Sequence, residues 1–108
     1  MFLELVRRGY QPGQTLFFYK TRQNREVDFA LKPGLGVERL IQVCCDPSAP
    51  ATLERECRAL AEAAGELRRP PCDIVTMDRE DSLEFRGVTI QCVPAWKWLG
   101  AAPESRPA

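Results

Sequence analysis

The residues best suited to chemistry in this 108-residue chain are two acids one position apart, Glu26 and Asp28 in NREVDFAL (24–31). A Gln and a Cys repeat that spacing, Gln42 and Cys44 in LIQVC (40–44). Both runs read as strands, where residues two apart share a face. Aspartate is disfavoured there because its carboxylate competes for backbone hydrogen bonds and cannot be buried charged without a partner. Three circumstances would account for Asp28: a solvated face, an ion pair with Arg22, Arg25 or Arg39, or a metal. Strict alternation puts Val27, Phe29 and Leu31 on one face and Glu26, Asp28 and Ala30 on the other. In the next strand Leu40, Gln42 and Cys44 share a face, with Ile41, Val43 and Cys45 opposite. A strand apolar on both sides is central, so Gln42 is a buried amide that must find partners. If Asp28 faces the same way, two polar groups converge inside an apolar sheet.

Other chemistries are thinned out by composition. There is no histidine, which removes the usual general base, the commonest metal ligand and the near-neutral switch. The five cysteines, at 44, 45, 57, 72 and 92, include no Cys-x-x-Cys pair, so buried thiols in a reducing cytoplasm are expected rather than disulfides or zinc. Fifteen basic residues balance fifteen acidic ones, so contact with phosphate needs a local patch. Lys20, Arg22 and Arg25 around one turn, with Arg7 and Arg8, are the candidates for nucleic-acid contact, although Glu4 and Glu26 lie among them. Trp96 and Trp98 can stack bases, but in a closing helix at least one is expected to plug the core. No Gly-x-x-x-x-Gly-Lys-Ser/Thr loop occurs, so ATP binding by that route is not expected. No run is long and apolar enough for a membrane span, and no membrane partner is expected.

The elements that must position these residues follow from periodicity and punctuation. Phe2, Leu5 and Val6 mark a short first helix over 2–8, stopped by Gly9; its abrupt, uncapped start suggests a domain taken from a longer protein. Strands follow at 16–20, 26–31 and 38–45, joined by polar or Gly-rich turns, and should pair antiparallel. A second helix begins near Pro50, with Leu53, Cys57, Leu60, Ala61, Ala64 and Leu67 on its inner stripe, and Pro70-Pro71 ends it. The strand at 72–77 should run parallel to the third strand. Residues 83–85 and 88–93 form a hairpin around Arg86-Gly87, 94–99 a closing helical turn, and 100–108 a disordered tail. The expectation is one α/β domain over 1–99, a mixed sheet with flanking helices in the order αβββαβ plus a C-terminal hairpin.

An acid on one strand, a tight turn, and a strand bearing acid-x-Lys is the pattern of the PD-(D/E)xK nucleases, and this order of elements resembles their restriction-endonuclease-like and Holliday-junction-resolvase-like fold. More narrowly, EVDF with LIQV, the Arg-Glu-x-x-Ala-Leu helix and PAWKWL is similar to the uncharacterised C-terminal domain of bacterial and archaeal AAA+ ATPases, over about Phe2 to Leu99. The resemblance implies that Glu4 matches the first-helix acid, Asp28 the metal-binding aspartate, Gln42 the second acid and Cys44 the lysine. It implies a Mg²⁺ or Mn²⁺ ion on Asp28 and Glu4, and an ATPase domain of the same polypeptide as partner. Gln42 removes one charge from such a site, and Cys44 cannot supply the ammonium that supports hydrolysis. The function expected is a non-catalytic binding module keeping a degenerate nuclease site, with Glu26 and Asp28 held by Gln42 or an arginine. The rival is a metal-dependent endonuclease or junction resolvase with its cation relocated to Lys20, Arg55 or Arg58. A third reading makes Cys44 a thiol sensor.

Overall fold

Short turns between three apolar runs make the first half of the chain an antiparallel meander. In the computed structural model, which describes residues 2–44 and 48–99, helix α1 (Phe2–Arg7) leads into β1 (Leu16–Lys20), β2 (Glu26–Leu31) and β3 (Arg39–Val43). Helix α2 (Pro50–Glu66), β4 (Cys72–Thr76), β5 (Asp81–Phe85), β6 (Val88–Pro94) and α3 (Ala95–Leu99) complete it. Cys45, Asp46-Pro47 and the 100–108 tail fall outside the described residues.

The sheet has six strands in the order β1-β2-β3-β4-β6-β5. β1, β2 and β3 pair antiparallel, and β3 and β4 pair parallel across the α2 crossover, as expected. The terminal hairpin does more than append itself: β6 pairs parallel with β4, leaving β5 at the edge. Burial explains the choice. Val88, Ile90 and Cys92 alternate inward along β6, whereas Asp81-Ser82-Leu83-Glu84-Phe85 is mostly exposed, so β6 takes the interior position. Arg86 and Gly87 both adopt positive φ (51° and 81°), the conformation of a tight hairpin turn.

Helices cover both faces. On one, α2 buries Cys57, Ala59, Leu60, Ala63 and Ala64 against Val27, Leu40, Cys72, Ile74 and Ile90. Its Ala-rich inner stripe lets the helix approach the sheet closely. On the other face the short helices α1 and α3 place Leu5 and Trp98 over Leu31, Ile41 and Val75. Gly9 (φ 98°) ends α1, and Tyr10 N–H donates back to the Leu5 carbonyl at 3.1 Å. Trp98 is the core plug and Trp96 stands exposed.

One expectation fails in β2. Phe17 pairs with Ala30 but Tyr19 with Val27, so Phe18 alone opposes Asp28 and Phe29. This bulge breaks strict alternation. Val27 and Ala30 both belong to the α2-side core, while Phe29 and Leu31 face α1 and α3.

Candidate functional site

The bulge creates the site. Pairing of β2 with β3 runs from Leu31↔Arg39 to Phe29↔Ile41, and beyond that point the bulged backbone needs other partners. Gln42 supplies them. Its Oε1 accepts from Asp28 N–H at 2.6 Å, and its Nε2 donates to the Glu26 carbonyl at 3.0 Å. The amide thus acts as an inserted peptide unit, bonding on both sides of Val27. Asp28 returns the contact: its Oδ2 accepts from Val43 N–H at 2.9 Å. Each strand lends a side chain to the other's backbone where the ladder stops. Gln42 is 1% exposed, so these bonds are sheltered from water.

The interlock floors a cleft of about 390 Å³ lined by Asn24, Arg25, Glu26, Asp28, Gln42, Arg55, Glu56 and Ala59. Asp28 and Gln42 therefore share a cleft on the α2 side of the sheet. Glu56, absent from the sequence reading, is brought there by α2, with Oε1 3.5 Å from Gln42 Nε2. Burial, with the Asp28 carboxylate as a second cause, pushes the Glu56 carboxyl above its ordinary value. The signal was present: Glu56, Ala59, Leu60 and Ala63 follow the i, i+3, i+4, i+7 spacing of an inward stripe. Of the relocated cations considered, Arg55 lines the cleft, whereas Arg58 pairs with Glu54 at 2.8 Å.

Glu4 belongs elsewhere. It is held by Arg7 and Arg8, both at 2.6 Å, and Arg8 lies 4.2 Å over the ring of Trp98 on the α1/α3 side. Hydrogen bonds from the two guanidinium groups pull the Glu4 carboxyl down to about 2. An acid so engaged anchors Arg8, which itself reaches the Trp98 carbonyl and ring, and Glu4 does not line the Asp28 cleft. Cys44 shares the α2-side core with Cys57, Cys72 and Cys92, and all four are buried free thiols. Burial pushes the Cys57 and Cys72 thiols up to about 11. That is the environment of an inert thiol.

Two of the residues named for nucleic-acid contact, Arg22 and Arg25, help fasten the β1–β2 turn to α2. Arg25 pairs with Glu62, which also accepts from Thr21 Oγ1 at 2.7 Å. Glu66 accepts from the Tyr19 hydroxyl at 2.7 Å and from Arg22 N–H at 3.0 Å. Glu62 and Glu66 thus set negative charge against this basic turn, and Lys20 and the Arg22 guanidinium have no ion-pair partner among the described residues. None of the three lysines lines the cleft.

The cleft residues do not fit a divalent ion. Gln42 Oε1 and one Asp28 oxygen are committed to backbone N–H groups, and Glu4 is on the other face. Among the described residues no cluster of three or more Cys, Asp or Glu is placed to hold a metal. No histidine, lysine or exposed thiol stands in the cleft as base or nucleophile. The hydrogen bonds between Gln42, Asp28 and the two backbones lock a bulged strand to its neighbour.

No helix among the described residues is long and apolar enough to cross a membrane. No family model matches the chain, and no solved structure does. An uncharacterised protein of Methanocaldococcus jannaschii is 35% identical over 106 residues, an alignment covering 91% of this chain and 23% of that protein. The chain thus spans about a quarter of the length of the curated relative it matches.

Proposed function

We propose that this chain is a non-catalytic interaction module on a restriction-endonuclease-like scaffold, working as part of a longer ATPase. The observation that carries the reading is the commitment of Gln42 and Asp28, at the positions of the nuclease acids, to backbone hydrogen bonds. The scaffold assignment draws support from the antiparallel β1-β2-β3 meander, the parallel β3–β4 pair and a helix on each face. The match to 23% of a longer relative suits a module. So does apolar surface on the thin α1/α3 layer, where Leu3, Val6 and Trp96 are exposed. The expected partner is the AAA+ ATPase domain of the same polypeptide, docking on that layer; Trp96→Ala with Val6→Ser should weaken docking and leave Tm unchanged.

The rival nuclease reading draws on Glu56 and Arg55 standing beside Asp28 in one cleft, an acid and a cation brought by α2. The deciding experiment incubates the protein with plasmid, single-stranded and four-way-junction DNA in Mg²⁺ and in Mn²⁺, beside Asp28→Asn and Glu56→Gln controls. No cleavage is expected. Cleavage that disappears in both controls would establish the rival.

A further inference from the structure

Between β1, the turn after β2 and the end of α2 lies a groove of about 660 Å³ that shares no residue with the Asp28 cleft. Its size is that of a small-molecule site. The walls combine two chemistries. Phe17 and Tyr19, alternate residues of β1, contribute aromatic rings, and Leu35 stands fully exposed. Lys32 and Arg68 contribute positive charge, with Lys32 Nζ 5.9 Å from the centroid of the Phe17 ring.

Neither cation has an ion-pair partner among the described residues. Arg68 sits at φ 64°, where the chain leaves α2 in a conformation costly for any residue with a Cβ. The acid lining the groove, Glu66, is already engaged by the Tyr19 hydroxyl and Arg22 N–H. Two cations without ion-pair partners, outnumbering the single Glu66 carboxylate beside the aromatic walls, complement a ligand that is planar and apolar at one end and anionic at the other. An apolar peptide would leave both cations unanswered, and a bare anion would leave the rings uncovered.

We propose that this groove binds a nucleotide unit, a planar base with its phosphate, either free or within a single strand. The base stacks against the aromatic wall, and Lys32 and Arg68 take the phosphate. The site is independent of whether the Asp28 cleft is vestigial.

Calorimetric titrations with AMP, a ten-nucleotide single-stranded DNA and inorganic phosphate test it, each on the wild-type chain, Lys32→Glu/Arg68→Glu and Lys20→Glu/Arg22→Glu. AMP or the oligonucleotide should bind roughly tenfold or more tightly than phosphate, the difference being stacking. Equal affinity for AMP and for the oligonucleotide marks a free-nucleotide site, and preference for the oligonucleotide marks a strand site. The groove reversal should weaken binding at least tenfold without shifting Tm, and the turn reversal should not. Binding to neither nucleotide, binding no tighter than phosphate, or equal losses from both reversals would overturn the proposal.

Discussion

Replacing Gln42 by Glu restores an acid at the position of the second nuclease carboxylate, and it separates a structural interlock from a metal site. The new side chain keeps an acceptor for Asp28 N–H but loses the N–H that serves the Glu26 carbonyl. Losing that hydrogen bond and setting a carboxylate oxygen against the carbonyl costs about 1–3 kcal/mol. The added charge meets Asp28 and Glu56 in a site where residue 42 is 1% exposed. Desolvation and like charge both raise the folded-state pKa of the introduced carboxyl, and each unit costs about 1.4 kcal/mol at high pH. A penalty of about 3 kcal/mol or more at pH 8 follows, equivalent to a Tm drop of roughly 12–24 °C in a domain of this size.

The sign is set by linkage. A carboxyl with a raised folded pKa takes up protons on folding, so the penalty grows as pH rises above the unfolded value and shrinks towards pH 4. Once protonated, the introduced carboxyl also regains a donor for the Glu26 carbonyl. The assay is urea denaturation of wild type and Gln42→Glu from pH 4 to 8, with and without about 5 equivalents of Mn²⁺, an excess over one site. A variant as stable as wild type at pH 8, or one that Mn²⁺ restores, would show that residue 42 is placed for a cation and refute the interlock.

Glu56→Gln should have the opposite sign. Burial and Asp28 raise the Glu56 pKa, so the wild type loses stability as pH climbs above about 4.5, and the variant should be the more stable at pH 7–8 with no gain at pH 4. Arg8→Ala removes a side chain that is 0% exposed, stacks on Trp98 and donates to Glu4 and the Trp98 carbonyl. The expected loss is about 3–5 kcal/mol, with altered Trp98 fluorescence, and Arg8→Lys should recover only part because an ammonium cannot stack flat. In a Cys45→Ser background the remaining thiols should resist labelling at pH 7 until denaturant is added; rapid labelling of Cys44 would revive the sensor reading.

Much of this protein follows from local pattern. Turn residues and apolar runs mark every strand and the α2 stripe, because punctuation by Gly and Pro and the periods of two and 3.6 are properties of short segments. The shared face of Leu40, Gln42 and Cys44 is legible for the same reason, and it predicts a buried amide in search of partners. Those partners are backbone groups of β2.

Tertiary structure alone decided the rest. The β2 bulge depends on how β1 and β3 register against it, so it moved Val27 to the α2 side against the alternation its neighbours suggest. Glu56 entered the cleft because α2 packs against β2 and β3, and Glu4 left it because α1 packs on the opposite face. Chain order suggested an appended hairpin, but competition for the interior position beside β4 put β6 inside and β5 out. A segment's own residues set its element and its apolar side. Which side chains answer which orphaned hydrogen-bonding groups is settled only when distant segments meet.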